Sequence, residues 1–598
     1  MSTNENLPIQ IGSRRYAADL QGFGWGPTES MRQMQDSSRE PNDGSFGAAG
    51  LWKRTQSDFI LGAGQKYLDQ EDESDRRRFR KSRGIDVWNR RQVTLLPDTS
   101  TVDTMGNGTT GDMVVVNGFL YAASGTGVVR FNGSTWANCT GLSGTINHLE
   151  VIGGHVYAAG TAGLRRVAVG ALAFATFGSL TPDTIGTGGG RLVGADNALL
   201  YEILNNGTKV DIFTHFDSSG FTWNKIMGAP NGIYCFGRDS GRSVAYLLTV
   251  VDATGQLSAP YPVLNMPDGE FINDVLFFGG VLVLATNLGT RLAQINGSGF
   301  LTAGPLTEIG NVECLATDGF DVWFGWTNYD ATHTGLGRMR PSRFTDTFVP
   351  AYASDLMAVD QGEVRAVASY LGKRYFVYNN SGTGTVAGQS ANKVASGVLH
   401  TGLVTYGSPE DMGHHSVEGA WDGLPAGGRV QIELVSVADG TPVGGGVNNN
   451  TTASTAQRGS FTDVFVGEQA EMVITLTRAT AATAAPVLRR WTLRAIPMPY
   501  RTLNITLALM LQSQVEHVAG NQMQRHDFDP LAEFTYLNGL MEDRTLVDVV
   551  IGGVTRKMLV DYFGMGPDVQ GVGARGWTRD QSWIEGTWTV RLLTVEPN

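Results

Sequence analysis

The chain has 598 residues, of which 41 % are hydrophobic, and it carries a formal net charge of −12 with a pI near 5.3. This length exceeds what one hydrophobic core can organise and predicts about four domains. The acidic balance argues against a broad nucleic-acid-binding surface, because phosphate recognition requires clustered Lys and Arg.

No targeting or membrane segment is predicted. The N-terminus, MSTNENLPIQ, lacks the basic and apolar regions of a signal peptide, and no uninterrupted apolar run approaches the roughly 18 residues that cross a bilayer. The cysteines Cys139, Cys235 and Cys314 are too far apart for a disulfide framework or a metal motif, so we expect small buried hydrophobes. We therefore expect a protein made in a cytoplasm, without membrane insertion, metal or cofactor.

Residues 1–90 are predicted to form an extended arm with a short helix. The first part of this arm is rich in Gly, Ser, Asn and Gln without a sustained period, which is typical of a segment ordered by its partners. Within residues 61–88, acids precede bases, and pairs such as Asp72 and Arg76 have helical ion-pair spacing. We interpret this stretch as a solvated helix or a docking segment, since its acids largely cancel the field that nucleic acid would require.

Residues 91–396 contain a repeated unit of a tight turn followed by an apolar strand. The units are NGFLYAAS from Asn117, GGHVYAAG from Gly153, GGRLVGAD from Gly189, NGIYCFGR from Asn231, GGVLVLAT from Gly279, DGFDVWFG from Asp318 and LGKRYFVY from Leu371. Successive starts lie 36 to 53 residues apart, and periods of roughly 40 to 50 residues with several strands each are typical of propeller blades. The 78 glycines of the chain fit many hairpin turns. We predict an all-β fold with a β-propeller of seven blades, with six or eight as alternatives.

Residues 397–485 are predicted to form a β-sandwich. RVQIELVSV at 429–437 and EMVITLT at 471–477 alternate apolar and polar residues, as half-buried antiparallel strands do. The Gly-, Asn- and Thr-rich stretch at 444–457 is interpreted as the loop between strands.

Residues 486–598 are predicted to form a small β domain with one helix. Asp529 as N-cap and Pro530 at the first helical position predict a helix at 529–541. Strand-like runs lie at 489–495 and 503–511, in a hairpin at 546–560, and at 586–595.

Two segments resemble a known family. GAGQKYLDQEDESDRRRFRKSRGIDVWNRRQVTLLPDT, residues 62–99, resembles an N-terminal signature of minor tail proteins of long-tailed phages, especially those that infect actinobacteria. The matching parts are GAGQ, the RFR-S-GID-W core and LLPDT. PVLRRWTLRAIPMPYR, residues 486–501, and the strand, helix and hairpin after it resemble the C-terminal region of the same proteins and, more loosely, a tail-tube-like sandwich. Together these matches cover roughly a quarter of the chain.

The resemblance implies a structural component of a phage tail tip or baseplate, synthesised in the host cytoplasm and located in the virion. It implies a symmetric multimeric assembly with other tail proteins and contact with the host surface. We expect the N-terminal arm to press against other subunits through aromatic and arginine anchors. The candidate assembly residues are Arg76, Arg77, Phe79, Arg80 and Trp88.

Enzyme motifs are absent from the sequence, so we predict no catalytic activity. No G-x-S-x-G, H-E-x-x-H, phosphate loop or C-x-x-C occurs. THFDSSGFTW, residues 214–223, is a single near miss to the repeated turn of sialidases. A glycan depolymerase is an alternative, and it would require an axial pocket with two facing carboxylates, one with a raised pKa.

Several acidic residues and two histidines are candidates for catalytic or metal-binding roles. The acid pairs Asp318 with Asp321 and Asp211 with Asp217 carry little weight among 57 acidic residues, and the adjacent His414 and His415 are expected in a loop or on the surface.

A host-surface glycan adhesin is the second alternative. Trp326 and Tyr329 follow a predicted strand in DVWFGWTNYD and could stack on sugar rings that belong to the host cell wall. The competing interpretation is that Trp323 and Trp326 pack between blades.

Overall fold

The structure is a computed structural model, in which two compact units can be distinguished. It describes residues 9–16, 28–31, 52–68, 77–250, 255–307, 309–326, 333–344, 349–358, 362–405, 412–436, 440–467, 469–497, 501–511, 513–519, 522–527, 529–551, 553–564 and 586–594. The smaller unit comprises Met1–Glu40, Pro409–Gly413 and Pro497–Asn598, and the larger comprises Pro41–Ser408 and His414–Ile496.

The N-terminal strands are added to sheets formed by later parts of the chain. They are β1 (Ile9–Ile11), β2 (Arg14–Tyr16), β3 (Thr28–Met31), β4 (Trp52–Gln56), β5 (Tyr67–Leu68), β6 (Lys81–Arg83), β7 (Ile85–Asp86) and β8 (Thr94–Leu95). The structure thus corrects the predicted separate arm, because strand edges offer unpaired backbone groups that these segments satisfy. The described parts of residues 61–88 contain no α-helix; Asp72 and Arg76 lie outside the described residues.

The central region forms seven four-stranded antiparallel sheets. In chain order the strands are β9 (Pro97–Asn107); β10 (Gly111–Val116), β11 (Phe119–Ser124), β12 (Gly127–Phe131) and β13 (Trp136–Asn138); β14 (Ile146–Ile152), β15 (His155–Gly160), β16 (Arg165–Ala168) and β17 (Ala175–Thr176); β18 (Thr184–Gly188), β19 (Arg191–Asp196), β20 (Leu199–Ile203) and β21 (Lys209–Thr214); β22 (Thr222–Ala229), β23 (Gly232–Arg238), β24 (Ser243–Leu248) and β25 (Tyr261–Asn265); β26 (Ile272–Phe278), β27 (Val281–Thr286), β28 (Thr290–Ile295) and β29 (Leu301–Ala303); β30 (Val312–Thr317), β31 (Val322–Trp326), β32 (Thr334–Phe344) and β33 (Pro350–Ala358); and β34 (Val364–Tyr370), β35 (Lys373–Asn380) and β36 (Thr383–Lys393).

These sheets close into a ring, which confirms the predicted β-propeller. The inner strands β10, β14, β18, β22, β26, β30 and β34 contact one another in this order, and β34 contacts β10 again. The last blade is completed by β9, which precedes the first blade in the chain and pairs with β36. Apolar layers lie between blades; for example, Phe236 and Leu284 belong to one buried cluster from neighbouring blades.

Glycine pairs form the turns that begin the repeated units. Gly153 and Gly154 have φ of 58° and 76°, and Gly279 and Gly280 have φ of 55° and 92°. Two successive positive φ values are typical of the two-residue hairpin turn that matches strand twist, and glycine adopts them without a Cβ clash. This requirement explains the repeated Gly pairs of the sequence.

The predicted β-sandwich is present and includes N-terminal strands. Its strands are β37 (Ser396–Val404), β38 (Met412–Trp421), β39 (Arg429–Val435), β40 (Pro442–Asn449), β41 (Ala456–Gly467), β42 (Ala470–Thr477) and β43 (Leu488–Pro497). The sheet order is β4-β43-β38-β41-β40-β39-β42-β37-β5, with β6 also paired to β37. On β39, Val430, Ile432 and Leu434 are buried and alternate with half-buried residues.

Two predictions about this region were wrong. The sequence predicts a loop from residue 444, but residues 442–449 form β40, and a Cβ on Gly446 would lie 2.5 Å from the Ile432 carbonyl oxygen. The glycine therefore permits close strand approach. The sequence predicts β43 in the C-terminal domain, but this strand pairs with β4 in the sandwich. No local sequence pattern predicts this pairing, because the two strands are far apart in the chain.

The smaller unit confirms the predicted β domain with one helix. It contains β44 (Arg501–Leu511), β45 (Gln514–Ala519), β46 (Gln522–Asp527), α1 (Pro530–Glu542), β47 (Leu546–Ile551), β48 (Val554–Gly564) and β49 (Gly586–Thr594). Its main sheet has the order β2-β1-β47-β48-β49-β44-β3. Asp529 caps α1 by accepting from the backbone N–H groups of Leu531 and Ala532, and Leu537 and Leu540 bury the inner face of the helix.

Candidate functional site: the axial cavity of the propeller

A cavity of about 560 Å³ lies where the seven inner strands meet. Every blade contributes lining residues, from Asp112 of the first blade to Arg365 of the seventh. This volume falls within the range of about 300–1,000 Å³ that is typical of small-molecule sites. The cavity is therefore the candidate site of the larger unit.

Five inner strands carry a backbone irregularity at the same level. The pairing register shifts at Asn147, Asn224, Asn273 and Arg365 and between Val312 and Leu315. A β-bulge adds an unpaired residue that changes the direction of a side chain. At Asn147, Asn224 and Asn273 the bulged residue is polar and lies on the cavity lining, together with the residue that follows it.

Two aspartates join neighbouring blades at the cavity. Asp112 Oδ2 accepts from the Leu149 N–H at 2.8 Å, and Asp274 Oδ2 accepts from the Leu315 N–H at 2.8 Å. Burial opposes ionisation of Asp112, but the interaction with His148 and the charge of Lys225 together lower its pKa. Asp112 is therefore a carboxylate at neutral pH.

Lys225 places an ammonium among the carboxylates. Its Nζ lies 2.7 Å from Asp274 Oδ1. Burial alone would lower the pKa of Lys225, but the charges of Asp274 and Asp112, with a contribution from Glu150, outweigh burial and raise it. Lys225 is therefore charged, and it balances part of the negative charge around the cavity.

Glu150 differs from these aspartates in its environment. Its Oε1 accepts from the Val151 N–H at 2.9 Å and from Thr187 Oγ1 at 3.2 Å, whereas Oε2 has no partner among the described residues. Burial raises the pKa of Glu150, and the Val151 N–H offsets part of this effect. The cavity thus holds two carboxyl groups, Asp112 and Glu150, with pKa values shifted in opposite directions.

The hydrogen bonding of Asp112 involves both of its carboxylate oxygens. Its Oδ1 accepts from the Met113 N–H at 2.7 Å, while Oδ2 is held by Leu149 and lies 3.7 Å from His148 Nδ1. Each oxygen of Asp112 thus accepts a backbone hydrogen bond, and these bonds hold the carboxylate in one orientation at the cavity. Within the described residues, no group of three His, Cys, Asp or Glu side chains could hold a metal ion.

The cavity residues are not among the site residues predicted from the sequence. A signal exists, because a polar residue follows an apolar one shortly before several of the repeated turns, as in INH, WNK and IND around Asn147, Asn224 and Asn273. Only the closed ring shows that these positions converge.

The candidate glycan residues lie elsewhere. Trp326 is half-buried at the end of β31, and its ring stacks on that of Phe324 with 5.4 Å between the centroids. A Cβ on Gly337 would clash with Trp326 Nε1, so the indole packs against the backbone of β32. Trp323 is 3 % exposed and lies beneath the guanidinium groups of Arg338 and Arg374. Tyr329 falls outside the described residues.

The candidate assembly residues contact the chain's own structure. Phe79 is fully buried against Phe59, and Arg80 forms an ion pair of 3.1 Å with Glu471 of the sandwich. The backbone carbonyl of Arg77 accepts from the Leu61 N–H, and Arg76 lies outside the described residues.

Trp88 docks the N-terminal segment onto the sixth blade. It is 5 % exposed, and its ring lies against the guanidinium groups of Arg338 and Arg340, 5.3 and 5.0 Å from the ring centroid. This finding corrects the expected contact with another subunit: Phe79 and Trp88 are occupied within the chain, because their aromatic area is best buried locally.

The acidic residues of the two candidate pairs have partners within the chain, and Asp211 forms an ion pair of 3.0 Å with Lys209. Asp321 is 4 % exposed and accepts two hydrogen bonds from Arg340, at 2.6 and 2.8 Å. Asp318 caps its own turn by accepting from the Phe320 and Asp321 N–H groups, and Asp217 accepts from the Gly220 N–H in the same manner.

The histidines and cysteines considered from the sequence differ in their burial. His414 is fully buried on β38, contrary to the expected surface role, whereas His415 is exposed. Cys235 and Cys314 are buried and Cys139 is half-buried, and all three are outside disulfides. Among the helices that the structure describes, none is long and apolar enough to span a membrane.

Comparisons with known proteins concern the fold only. No family model and no curated protein matches the chain. Similar solved structures include the WD40 domain of Neurospora crassa Pan2 (11 % identity, TM-score 0.36, covering 50 % of this chain and 97 % of that chain) and the AfRom2 CNH domain (8 %, 0.34, 49 % and 99 %). A third is the extracellular domain of a putative hybrid two component system of B. thetaiotaomicron, with 13 % identity and a TM-score of 0.28. This match covers 45 % of this chain and 44 % of that chain. These scores are too low to carry an argument about function.

Proposed function

We propose that the protein is a structural component of the tail tip or baseplate of a long-tailed phage, where it assembles with other tail proteins. The proposal starts from the family resemblance of residues 62–99 and 486–501. One structural observation supports it: these two segments, far apart in sequence, hydrogen-bond to each other. Val93 and Leu488 exchange two backbone hydrogen bonds of 2.9 and 2.8 Å.

Further contacts join the same two segments. Thr94 Oγ1 donates to the Pro486 carbonyl oxygen at 2.9 Å, and Arg489 donates to the Arg91 carbonyl oxygen at 3.2 Å. Segments that resemble one family and also fold together behave as one structural part, which we name the platform: the sandwich sheet with the N-terminal strands β4 to β6.

The propeller is inserted into this platform. Lys393 Nζ donates to the Leu95 carbonyl oxygen at 3.0 Å, and the Val394 N–H donates to the Leu96 carbonyl oxygen at 3.1 Å. The chain therefore enters and leaves the propeller through adjacent strands. Insertions of this kind preserve the host domain because its own strands remain paired. In the proposed role, the platform belongs to the tail and the propeller is the module that it presents.

Strand edges of the smaller unit offer a further location for assembly contacts. Phe79 and Trp88 are buried within the chain, whereas the Arg80 side chain is 44 % exposed. In the described part of the smaller unit, β2 and β3 are the outermost strands of the main sheet. Outermost strands can pair with a strand of another chain, and we place the contacts with neighbouring tail proteins there.

Particle analysis tests this proposal. Virions of the source phage would be purified and analysed by quantitative mass spectrometry and by immunogold electron microscopy with antibodies against the recombinant chain. We expect a small, constant copy number per particle and labelling at the end of the tail. A chain that is abundant in infected cells but absent from purified virions contradicts the proposal.

A further inference from the structure

We propose that the axial cavity of the propeller is a binding site for a neutral, hydroxyl-rich ligand such as a sugar, small enough to fit a volume of about 560 Å³. The inference concerns the propeller alone and does not depend on the tail assignment.

The charges around the cavity select against simple ions. The carboxylates of Asp112, Asp183, Asp274 and Glu313, with the carboxyl group of Glu150, outnumber the lining cations Lys225, Arg238 and Arg365, so a phosphate or another anion meets a net negative lining. The place that a small cation would occupy between Asp274 and Asp112 is taken by the Lys225 ammonium. A second cation would meet both this charge and that of Arg365 at the cavity lining. A neutral ligand avoids both costs.

The polar groups that face the cavity match hydroxyl chemistry. Glu150 Oε2 has no partner among the described residues, and Lys225 Nζ has Asp274 as its acceptor there, which leaves N–H groups for a ligand. An acceptor on β14 and a donor on β22 therefore line the same cavity. A hydroxyl both donates and accepts, so it can bond with either group. An apolar ligand would leave these groups unpaired in a desolvated site, which is costly.

The cavity lining is held in place by hydrogen bonds between blades. Asn147 Nδ2 donates to the Asp183 carbonyl oxygen at 3.4 Å, Asn224 Nδ2 donates to the Ile272 carbonyl oxygen, and Asn273 Nδ2 donates to the Val312 carbonyl oxygen at 2.9 Å. With the two aspartate bonds described above, these contacts fix the inner strands before a ligand arrives. A preorganised site loses less conformational entropy on binding.

Ligand-observed NMR titration of the full chain tests the inference. The probes are D-glucose, D-galactose, L-rhamnose and N-acetyl-D-glucosamine, with 1,4-diaminobutane and inorganic phosphate as cationic and anionic comparisons. The variants are Glu150→Met, which keeps the side-chain length without polarity, and Glu150→Gln, which keeps hydrogen bonding. Asp268→Asn is the matched control, because Asp268 lies outside the cavity with its side chain 90 % exposed.

We expect at least one neutral sugar to bind the unmodified chain. Glu150→Met is expected to weaken that binding about tenfold or more, while Glu150→Gln stays within about threefold and Asp268→Asn is unchanged. Asn147→Leu, on a different blade of the cavity, is the second variant if Glu150→Met does not fold, and it should also weaken binding. Absence of sugar binding, binding that neither Glu150→Met nor Asn147→Leu alters, or preferential binding of the diamine or phosphate overturns the inference.

Discussion

Adjacent histidines on β38 have opposite environments, and this contrast has a thermodynamic consequence. His414 is fully buried, with its ring 5.8 Å from that of Phe465, whereas His415 is exposed. Burial lowers the pKa of His414 from 6.5 to about 4, although a backbone hydrogen bond with Gly467 acts in the opposite direction. The folded chain therefore keeps this imidazole neutral where the unfolded chain protonates it.

The sign of the pH dependence follows directly. As the pH falls below 6.5, His414 becomes protonated in the unfolded state, whereas in the folded state it stays neutral until about pH 4. The free energy of unfolding of the larger unit therefore decreases. At about 1.4 kcal/mol per pKa unit, the loss between pH 7 and pH 5 is about 2 kcal/mol. We expect His414→Phe to remove this part of the pH dependence in urea unfolding. His415→Gln is the matched control and should leave it intact; equal slopes for both variants would contradict the assignment.

At the scale of the element, the segment from β6 to β8 joins the sandwich to the propeller. Ser82 on β6 lies 3.2 Å from Ser354 on β33, hydroxyl to hydroxyl. Trp88 is enclosed by the two arginines of β32, and these arginines are bonded to the buried carboxylates of Asp355 and Asp321. The segment is thus a docked part of the larger unit.

Removal of the Trp88 ring tests this docking. We expect Trp88→Ala to lower the free energy of unfolding of the larger unit by about 3 kcal/mol or more, because a buried aromatic side chain is replaced by a cavity. Phe320→Ala is the control, since the Phe320 side chain is 83 % exposed, and it should stay within about 0.5 kcal/mol. Chemical denaturation of the purified chain measures both. An unchanged stability for Trp88→Ala would return this residue to the role of a contact with another subunit.

At the scale of the whole molecule, the two ends of the chain share one sheet. Strand β1 pairs with β47, and β3 pairs with β44. Ile9, Ile11 and Tyr16 belong to the core cluster of the smaller unit, and the Tyr16 hydroxyl donates to Glu533 of α1 at 2.9 Å. Strands β1 to β3 are therefore structural parts of the C-terminal domain.

Deletion of residues 1–40 should destabilise one unit and spare the other. The smaller unit would lose three of the seven strands of its main sheet, so its thermal unfolding transition should fall strongly or disappear. The larger unit keeps all its strands and serves as the internal reference. Differential scanning calorimetry of the full and truncated chains measures both transitions. A truncated chain in which both transitions are unchanged would show that these strands contribute nothing to folding.

Periodic features were decided by the sequence alone. The repeated glycine turns, the alternation in β39 and the Asp529–Pro530 start of α1 are local, and each predicted its element because φ, side-chain direction and capping depend on neighbouring residues. The propeller followed from the same local signals, since their period specifies one sheet per repeat.

Only the tertiary structure decided which distant segments meet. The closure of the last blade by β9, the pairing of β4 with β43 and the insertion of β1 into the C-terminal sheet join residues hundreds of positions apart. The convergence of Asp112, Glu150 and Lys225 on one cavity has the same origin. An edge strand accepts any compatible backbone, so composition and periodicity do not specify its partner. The partner is determined by which segments the closed fold brings together.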